Sequence, residues 1–281
     1  MKTKRLFLFL GLSIFLSACG NDKSSSASTE QDDTITTSSA LPESSNESPT
    51  SSSSAAESSN TINESSSSFD ESSSSELLVL DARGFDWDGI VGEYTIHTGI
   101  AEAEWYMFND SAEGGLSTIT WPVPLGNEYT NDSLDPVIYE CGGFCGTFNL
   151  NQGSMDHKPY VGVGFNLAGS KALPVDATNM WVLLICYTSD VPITLELVLD
   201  KETEAAIDHD HPYVILPKQS SDKEVYVSTD SLRQAGWGKT ISIDEALKSV
   251  VSIQFKIQAD DSTTGMFTIK YIIGNPSYAV P

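Results

Sequence analysis

Residues Tyr160–Leu167 read YVGVGFNL. Val161, Val163, Phe165 and Leu167 alternate with Tyr160, Gly162, Gly164 and Asn166, the period of a strand with one face on a core and the other turned away. A helix would need its apolar residues three or four apart, so this stretch decides for β-structure. The device returns twice. ITLELVLD places Ile193, Leu195, Leu197 and Leu199 inward, and VSIQFKIQ places Val251, Ile253, Phe255 and Ile257 opposite Ser252, Gln254, Lys256 and Gln258. MFTIKYIIG gives a last strand, whereas MWVLLICYT, Met180 to Thr188, is apolar almost throughout and predicts a strand covered on both faces. SIDEALKSV, beginning at Ser242, has the acidic start of one short helical turn. Many short strands separated by Gly, Pro, Asn and Asp turns predict an all-β fold, a jelly-roll β-sandwich, over residues 76–281.

Residues 1–75 have a different composition. Lys2, Lys4 and Arg5 precede the apolar run LFLFLGLSIFL, which is short for a membrane span, and LSAC follows. Residues 1–19 thus read as a lipoprotein signal peptide with a lipobox, with Cys19 the acylated residue. Acyl chains contribute about 0.8 kcal/mol per buried CH₂, so lipidation tethers a chain without making it span the bilayer. Residues 20–75 are dominated by serine with scattered acids and hold few large apolar groups. Such a segment cannot bury enough surface to offset its ordering entropy and is expected to be a disordered stalk.

Charge narrows the partners. Of the formal net charge of −24, the signal carries +3 and the stalk −9, leaving −18 on residues 76–281. That balance argues against nucleic acid, and against an anionic membrane surface except through a lipid anchor, because both require a basic footprint. Neutral ligands or cations remain. With Cys19 lipidated, Cys141, Cys145 and Cys186 are the disulfide candidates in an exported domain; Cys145–Cys186 across strands and Cys141–Cys145 within a loop are both possible.

Catalytic signatures are scarce. There is no G-x-S-x-G elbow, phosphate loop or dinucleotide fingerprint, and no Glu-x-Asp-x-Glu strand of the kind that sandwich-fold glucanases use. His209 and His211, set at strand spacing opposite Asp208 and Asp210, suit a zinc, copper or nickel ion. No third ligand is evident, so a solvated acidic loop at the edge of a cleft is the expected role.

The ordered series EWYMFNDSAEGGLSTI, VGVGFNL, CYTSDVPITLEL, LRQAGWG and VVSIQFKIQADDSTTGMFTIKYI resembles the jelly-roll carbohydrate-binding modules of the family-eleven type, a galactose-binding-like sandwich. It is similar above all to serine-linked lipoproteins and glycosidase appendages of fibre-degrading bacteria. The resemblance implies that Trp105 closes one end of the sandwich, while Asp110, Gly114, Gly115 and Ser117 turn the chain into the next strand. It also implies a ligand across the concave sheet, where tyrosines stack on sugar rings and acids or amides hold hydroxyls. Tyr160, Asn166, Tyr187, Glu196 and Gln254 are the expected carbohydrate contacts, with Gly162 and Gly164 opening a shallow channel beneath them. Asp81, Asp86 and Asp88 offer oxygen ligands for the structural calcium that several such sandwiches carry; no other cofactor is expected. The expected protein is a lipid-anchored, surface-exposed outer-membrane lipoprotein of the cell envelope that binds plant cell-wall polysaccharide, a β-glucan or hemicellulose, without catalysis. The alternatives are an envelope lipoprotein of the same fold with no sugar site and, less favoured, a glycoside hydrolase.

Overall fold

The computed structural model describes residues 77–82, 84–127 and 132–276; the signal segment with Cys19 and the serine-rich stretch lie outside the described residues. The elements in chain order are β1 (Leu78–Val79), β2 (Asp86–Asp88), β3 (Ile96–His97), β4 (Glu102–Ala103), β5 (Trp105–Asn109), β6 (Thr118–Thr120), α1 (Asp135–Cys141), β7 (Phe144–Asn149), β8 (Tyr160–Asn166) and β9 (Val175–Asp176). There follow β10 (Val182–Ser189), β11 (Ile193–Leu199), α2 (Lys201–Ala206), β12 (Tyr213–Leu216), β13 (Gln219–Ser228), α3 (Ile243–Ala246), β14 (Val250–Gln258) and β15 (Thr264–Gly274). No described helix is long and apolar enough to cross a membrane.

These strands make the two layers of a jelly-roll β-sandwich. The front sheet runs β12–β11–β14–β8–β5, with β9 pairing at the start of β14 and β1 lying parallel to β9. In the back sheet β10 lies between β13 and β15. β15 then pairs through Thr264–Ile269 with β7, which pairs with β6, and through Tyr271–Ile273 with β2, which leads to β3 and β4.

Alternation produced this arrangement because each strand buries one row of apolar side chains between the layers. Val161, Val163 and Phe165 from β8, Ile193, Leu195, Leu197 and Leu199 from β11, and Ile253, Phe255 and Ile257 from β14 are all buried. Each such side chain contributes about 1.5–3 kcal/mol through removal from water. One expected position differs. The register between β11 and β14 slips next to Leu199, so Val250 is buried and Val251 is only half-buried. β10 is buried at every position except half-buried Thr188, as its unbroken apolar run predicts.

Trp105 belongs to the core. Its ring meets Trp87 and Phe144 edge-on at 4.7 Å between centroids and Phe165 at 5.1 Å. Edge-to-face pairs of this kind add about 0.5–1.5 kcal/mol each beyond area burial. The chain after β5 turns around Asp110, which is fully buried. Its carboxylate accepts from the Ser117 amide at 3.0 Å, the Ser117 hydroxyl at 2.5 Å and the Tyr160 amide at 2.9 Å. Gly115 must be glycine, since a Cβ there would fall inside that carboxyl group. Gly114 ends the turn at φ +96°, in the left-handed region that glycine enters without strain.

The helical turn after Ser242 forms as α3, with the Ser242 hydroxyl accepting from the Glu245 amide at 3.2 Å. α1 and α2 were not expected. Asp200 caps α2 by accepting from the amides of Glu202 and Thr203, and α1 carries Pro136 in its first turn and is capped by left-handed Gly142. Cys141, the last residue of α1, and Cys145 of β7 form a disulfide with Cα atoms 5.8 Å apart, and Cys186 is buried in β10.

Candidate functional site

The outer face of the front sheet carries an open cleft of about 970 Å³. Strand register sets its floor in cross-strand rows. One row runs Tyr213, Glu196, Gln254, Gly164, Tyr106, and the next runs Ile215, Thr194, Lys256, Gly162, Phe108. A third begins with Gln258 opposite Tyr160. Side chains directly opposite across antiparallel strands are close enough to interact, so two glycines facing two aromatics fix where the rings lie.

The glycines do not open a bare channel. A Cβ at Gly162 would fall inside the Phe108 ring, and one at Gly164 would stand 2.9 Å from the Tyr106 hydroxyl and 3.0 Å from Gln254 Cγ. Phe108 and Tyr106 therefore lie down over the backbone of β8 and give the cleft an aromatic floor at one end. Tyr106 is held by donating to Ser252 Oγ at 2.9 Å and by accepting from Gln254 Nε2 at 3.1 Å. Tyr160 continues the platform, its ring centroid 6.3 Å from that of Phe108. Its hydroxyl donates to Glu113 at 2.7 Å, and burial together with that carboxylate raises its pKa. At the far side Trp237 is 68% exposed, its indole N–H donating to the Asp208 carbonyl at 3.3 Å.

Between these aromatic ends lies a charged cluster. Glu196, though on the cleft face, is almost completely buried; it pairs with Lys256 and stands 3.7 Å from His211 Nδ1. Lys256 also lies 5.7 Å from the Tyr160 ring centroid, a cation–π contact. Burial works against charge on Glu196, yet His211 and Lys256 outweigh it and hold the carboxyl below its usual range. Burial likewise opposes charge on His211, but Glu196 and Glu204 prevail and push its pKa up to about 9.

The expected contacts divide. Tyr160, Glu196 and Gln254 line this cleft together. Asn166 sits one row beyond, opposite Ser252, and borders a separate hollow of about 370 Å³ with Glu104, Tyr106 and Ser170. Tyr187 is not in the site. It belongs to the back sheet, points into the core, is fully buried, and donates its hydroxyl to the Pro217 carbonyl at 2.5 Å. The uniform apolarity around it gave no alternation from which to read its face, and the register slips on either side of it. Phe108, Tyr213 and Trp237 were missed as lining residues; the signal for Phe108 was its alternation with core residue Trp105.

The metal candidates also divide. Asp88 caps the turn after β2 by accepting from the Ile90 amide at 2.9 Å, and Asp86 is exposed, with buried Trp87 between them. Neither they nor Asp81 belong to a cluster of three metal-ligating side chains among the described residues. His209 and His211 are not at strand spacing, because Asp208 and His209 both adopt positive φ, 56° and 57°, and form a turn. Asp210 is buried and accepts from the amides of Ala235, Gly236 and Gly238, tying this turn to the loop that carries Trp237. Both imidazoles converge instead on Glu204 of α2, the third donor that the sequence did not reveal.

No family model matches the chain. A curated relative, Endoglucanase 3 of Fibrobacter succinogenes, is 28% identical over 162 residues, which are 56% of this chain and 22% of that protein; the chain thus spans about a fifth of the relative's length. Among solved structures, the chain is similar to a family 11 carbohydrate-binding module from Clostridium thermocellum in complex with a beta-1,3-1,4-mixed-linked tetrasaccharide, with TM-score 0.35 and 14% identity over 60% of this chain and 88% of that one. It is also similar to a variant of a family 29 carbohydrate-binding module, with TM-score 0.27 and 11% identity over 64% of this chain and 99% of that one.

Proposed function

We propose that the front-sheet cleft binds a polysaccharide, a β-glucan or related hemicellulose, without turning it over. The carrying observation is the composition of the open floor: Phe108, Tyr160, Tyr213 and Trp237 alternate with the amides of Gln254 and Gln258 and the hydroxyl of Thr194. Pyranose rings present apolar C–H faces to aromatic surfaces, and their hydroxyls need polar partners to offset desolvation. A long, open cleft suits a polymer passing through better than a small ligand enclosed on all sides. The likeness to part of an endoglucanase supports a glucan as that polymer.

Binding without hydrolysis is supported by the condition of the carboxylates. A glycosidase needs one acid kept protonated near neutral pH. Glu196 is instead held ionised by Lys256 and His211. The amino-terminal signal and stalk complete the reading as an outer-membrane lipoprotein that displays the module at the cell surface. Several copies on one cell would turn weak single contacts into adhesion through effective concentration.

Affinity electrophoresis through gels containing soluble β-glucans tests the binding. The protein should be retarded, and Tyr160→Ala and Trp237→Ala should each restore mobility. Unchanged mobility of the wild type in every glucan and hemicellulose gel would refute the reading, and reducing ends released from the polymer would replace it with hydrolysis. Incorporation of labelled palmitate, lost in Cys19→Ala, tests the anchor.

A further inference from the structure

The geometry points to a binding site for a divalent transition-metal ion of the zinc type at the cleft rim, formed by Glu204, His209 and His211. One ligand atom from each lies within 4.8 Å of the other two. His209 Nδ1 stands 3.1 Å from Glu204 Oε2 and His211 Nε2 stands 2.8 Å from Glu204 Oε1. Two imidazoles and a carboxylate are the donor set of open zinc sites, and imidazole donors disfavour calcium and magnesium.

Proximity alone would not distinguish this cluster from an ordinary solvated one, but His211 does. Its Nε2 is sealed from solvent and makes no hydrogen bond among the described residues, although Glu204 Oε1 lies 2.8 Å away. A buried ring nitrogen without a directed partner is costly in a finished structure, and coordination would satisfy it. Its other nitrogen, Nδ1, faces the Glu196 carboxylate at 3.7 Å. At that distance the carboxylate acts through its charge and not through a hydrogen bond, favouring the proton on Nδ1 and leaving Nε2 for the metal.

Local structure holds the other two donors. Glu204 is anchored where Oε1 accepts from the Leu199 amide at 3.0 Å. The consecutive left-handed residues Asp208 and His209 turn the exposed His209 ring back over α2. An ion here would clamp the 208–211 turn to α2 and stiffen the rim that carries Trp237. The site stands whether or not the cleft holds a glycan.

The test uses the full chain, stripped with chelator and titrated calorimetrically with zinc chloride, and separately with calcium chloride. Zinc should bind saturably and calcium should not. His209→Ala, at an exposed position with circular dichroism unchanged, should weaken zinc binding by at least about tenfold. NMR of the unmodified protein supplies a readout free of any folding defect: of the four histidines, zinc should shift the ring signals of His209 and His211 and leave His97 and His157 in place. Absence of zinc binding, equal affinity in His209→Ala, or shifts centred on His157 would each overturn the proposal.

Discussion

Phe108 lies across Gly162, directly opposite it on the neighbouring strand, in space that any Cβ at that position would occupy. The aromatic floor of the cleft therefore depends on a missing side chain. Gly162→Ala must push the Phe108 ring outward or shift the strand, because the Phe255 carbonyl crowds the same space from the other side. Overpacking of this kind costs roughly 1–3 kcal/mol. The expected outcome is a lower urea midpoint with an unchanged slope, and a loss of glucan retardation beyond that of an equally destabilised core variant.

Asp110 joins the turn after β5 to the strand that carries Tyr160. Asp110→Asn keeps the size of the side chain but faces the three donors of Ser117 and Tyr160 with an amide that can satisfy fewer of them. Buried hydrogen bonds to a charged group are worth about 1.5–3 kcal/mol each, and the two Ser117 donors left behind are buried. We expect a loss of roughly 3 kcal/mol in chemical denaturation. A change under about 0.5 kcal/mol, the range of ordinary surface substitutions, would show that Asp110 does not organise the turn.

Two tyrosines that look alike in sequence should behave oppositely. Tyr187→Ala removes a fully buried ring and should cost roughly 3–5 kcal/mol of stability, while the protein that remains folded retains its affinity. Tyr160→Ala should leave the thermal midpoint within a few degrees and weaken glucan binding on the order of tenfold, equivalent to about 1.4 kcal/mol. Titration of both variants against one soluble glucan, beside thermal melts, separates the two roles.

The contrast between those residues shows where sequence was informative. Strands with clean alternation, such as β8, β11 and β14, reveal which side chains face the cleft because a polar row and an apolar row cannot exchange places without burying the wrong one. Tyr160, Glu196 and Gln254 were legible for that reason. Tyr187 was not, because β10 has no polar row to mark a face. Phe108 was hidden by its own apolarity, although alternation from core residue Trp105 puts it on the outer face of β5. Glu204 lies in α2, and only the turn of Asp208 and His209 brings the two imidazoles to it, which no spacing rule foretells. Val251 shows the remaining limit, since a bulge moves a residue across the sheet without leaving a mark in the pattern.

The charged cluster gives stability a pH signature in chelator-treated protein. His211 faces Glu196 from β11 and Glu204 from α2, with Lys256 from β14 beyond Glu196 and His209 beyond Glu204. Its folded pKa of about 9 lies above the ordinary value of 6.5, so its protonated form stabilises the fold fully below pH 6.5, and that contribution fades as pH rises through about 9. Glu196 and Glu204 are shifted downward, so their contribution is present above the ordinary carboxylate value of 4.5 and is lost as pH falls through their lower folded values. Urea midpoints should therefore form a plateau between these limits and decline from neutral pH towards pH 9, with His211 accounting for up to about 3 kcal/mol. His211→Asn should be less stable than wild type at pH 6 and lack most of the alkaline decline. Parallel pH profiles for the two proteins would mean that His211 is not held protonated between its carboxylates.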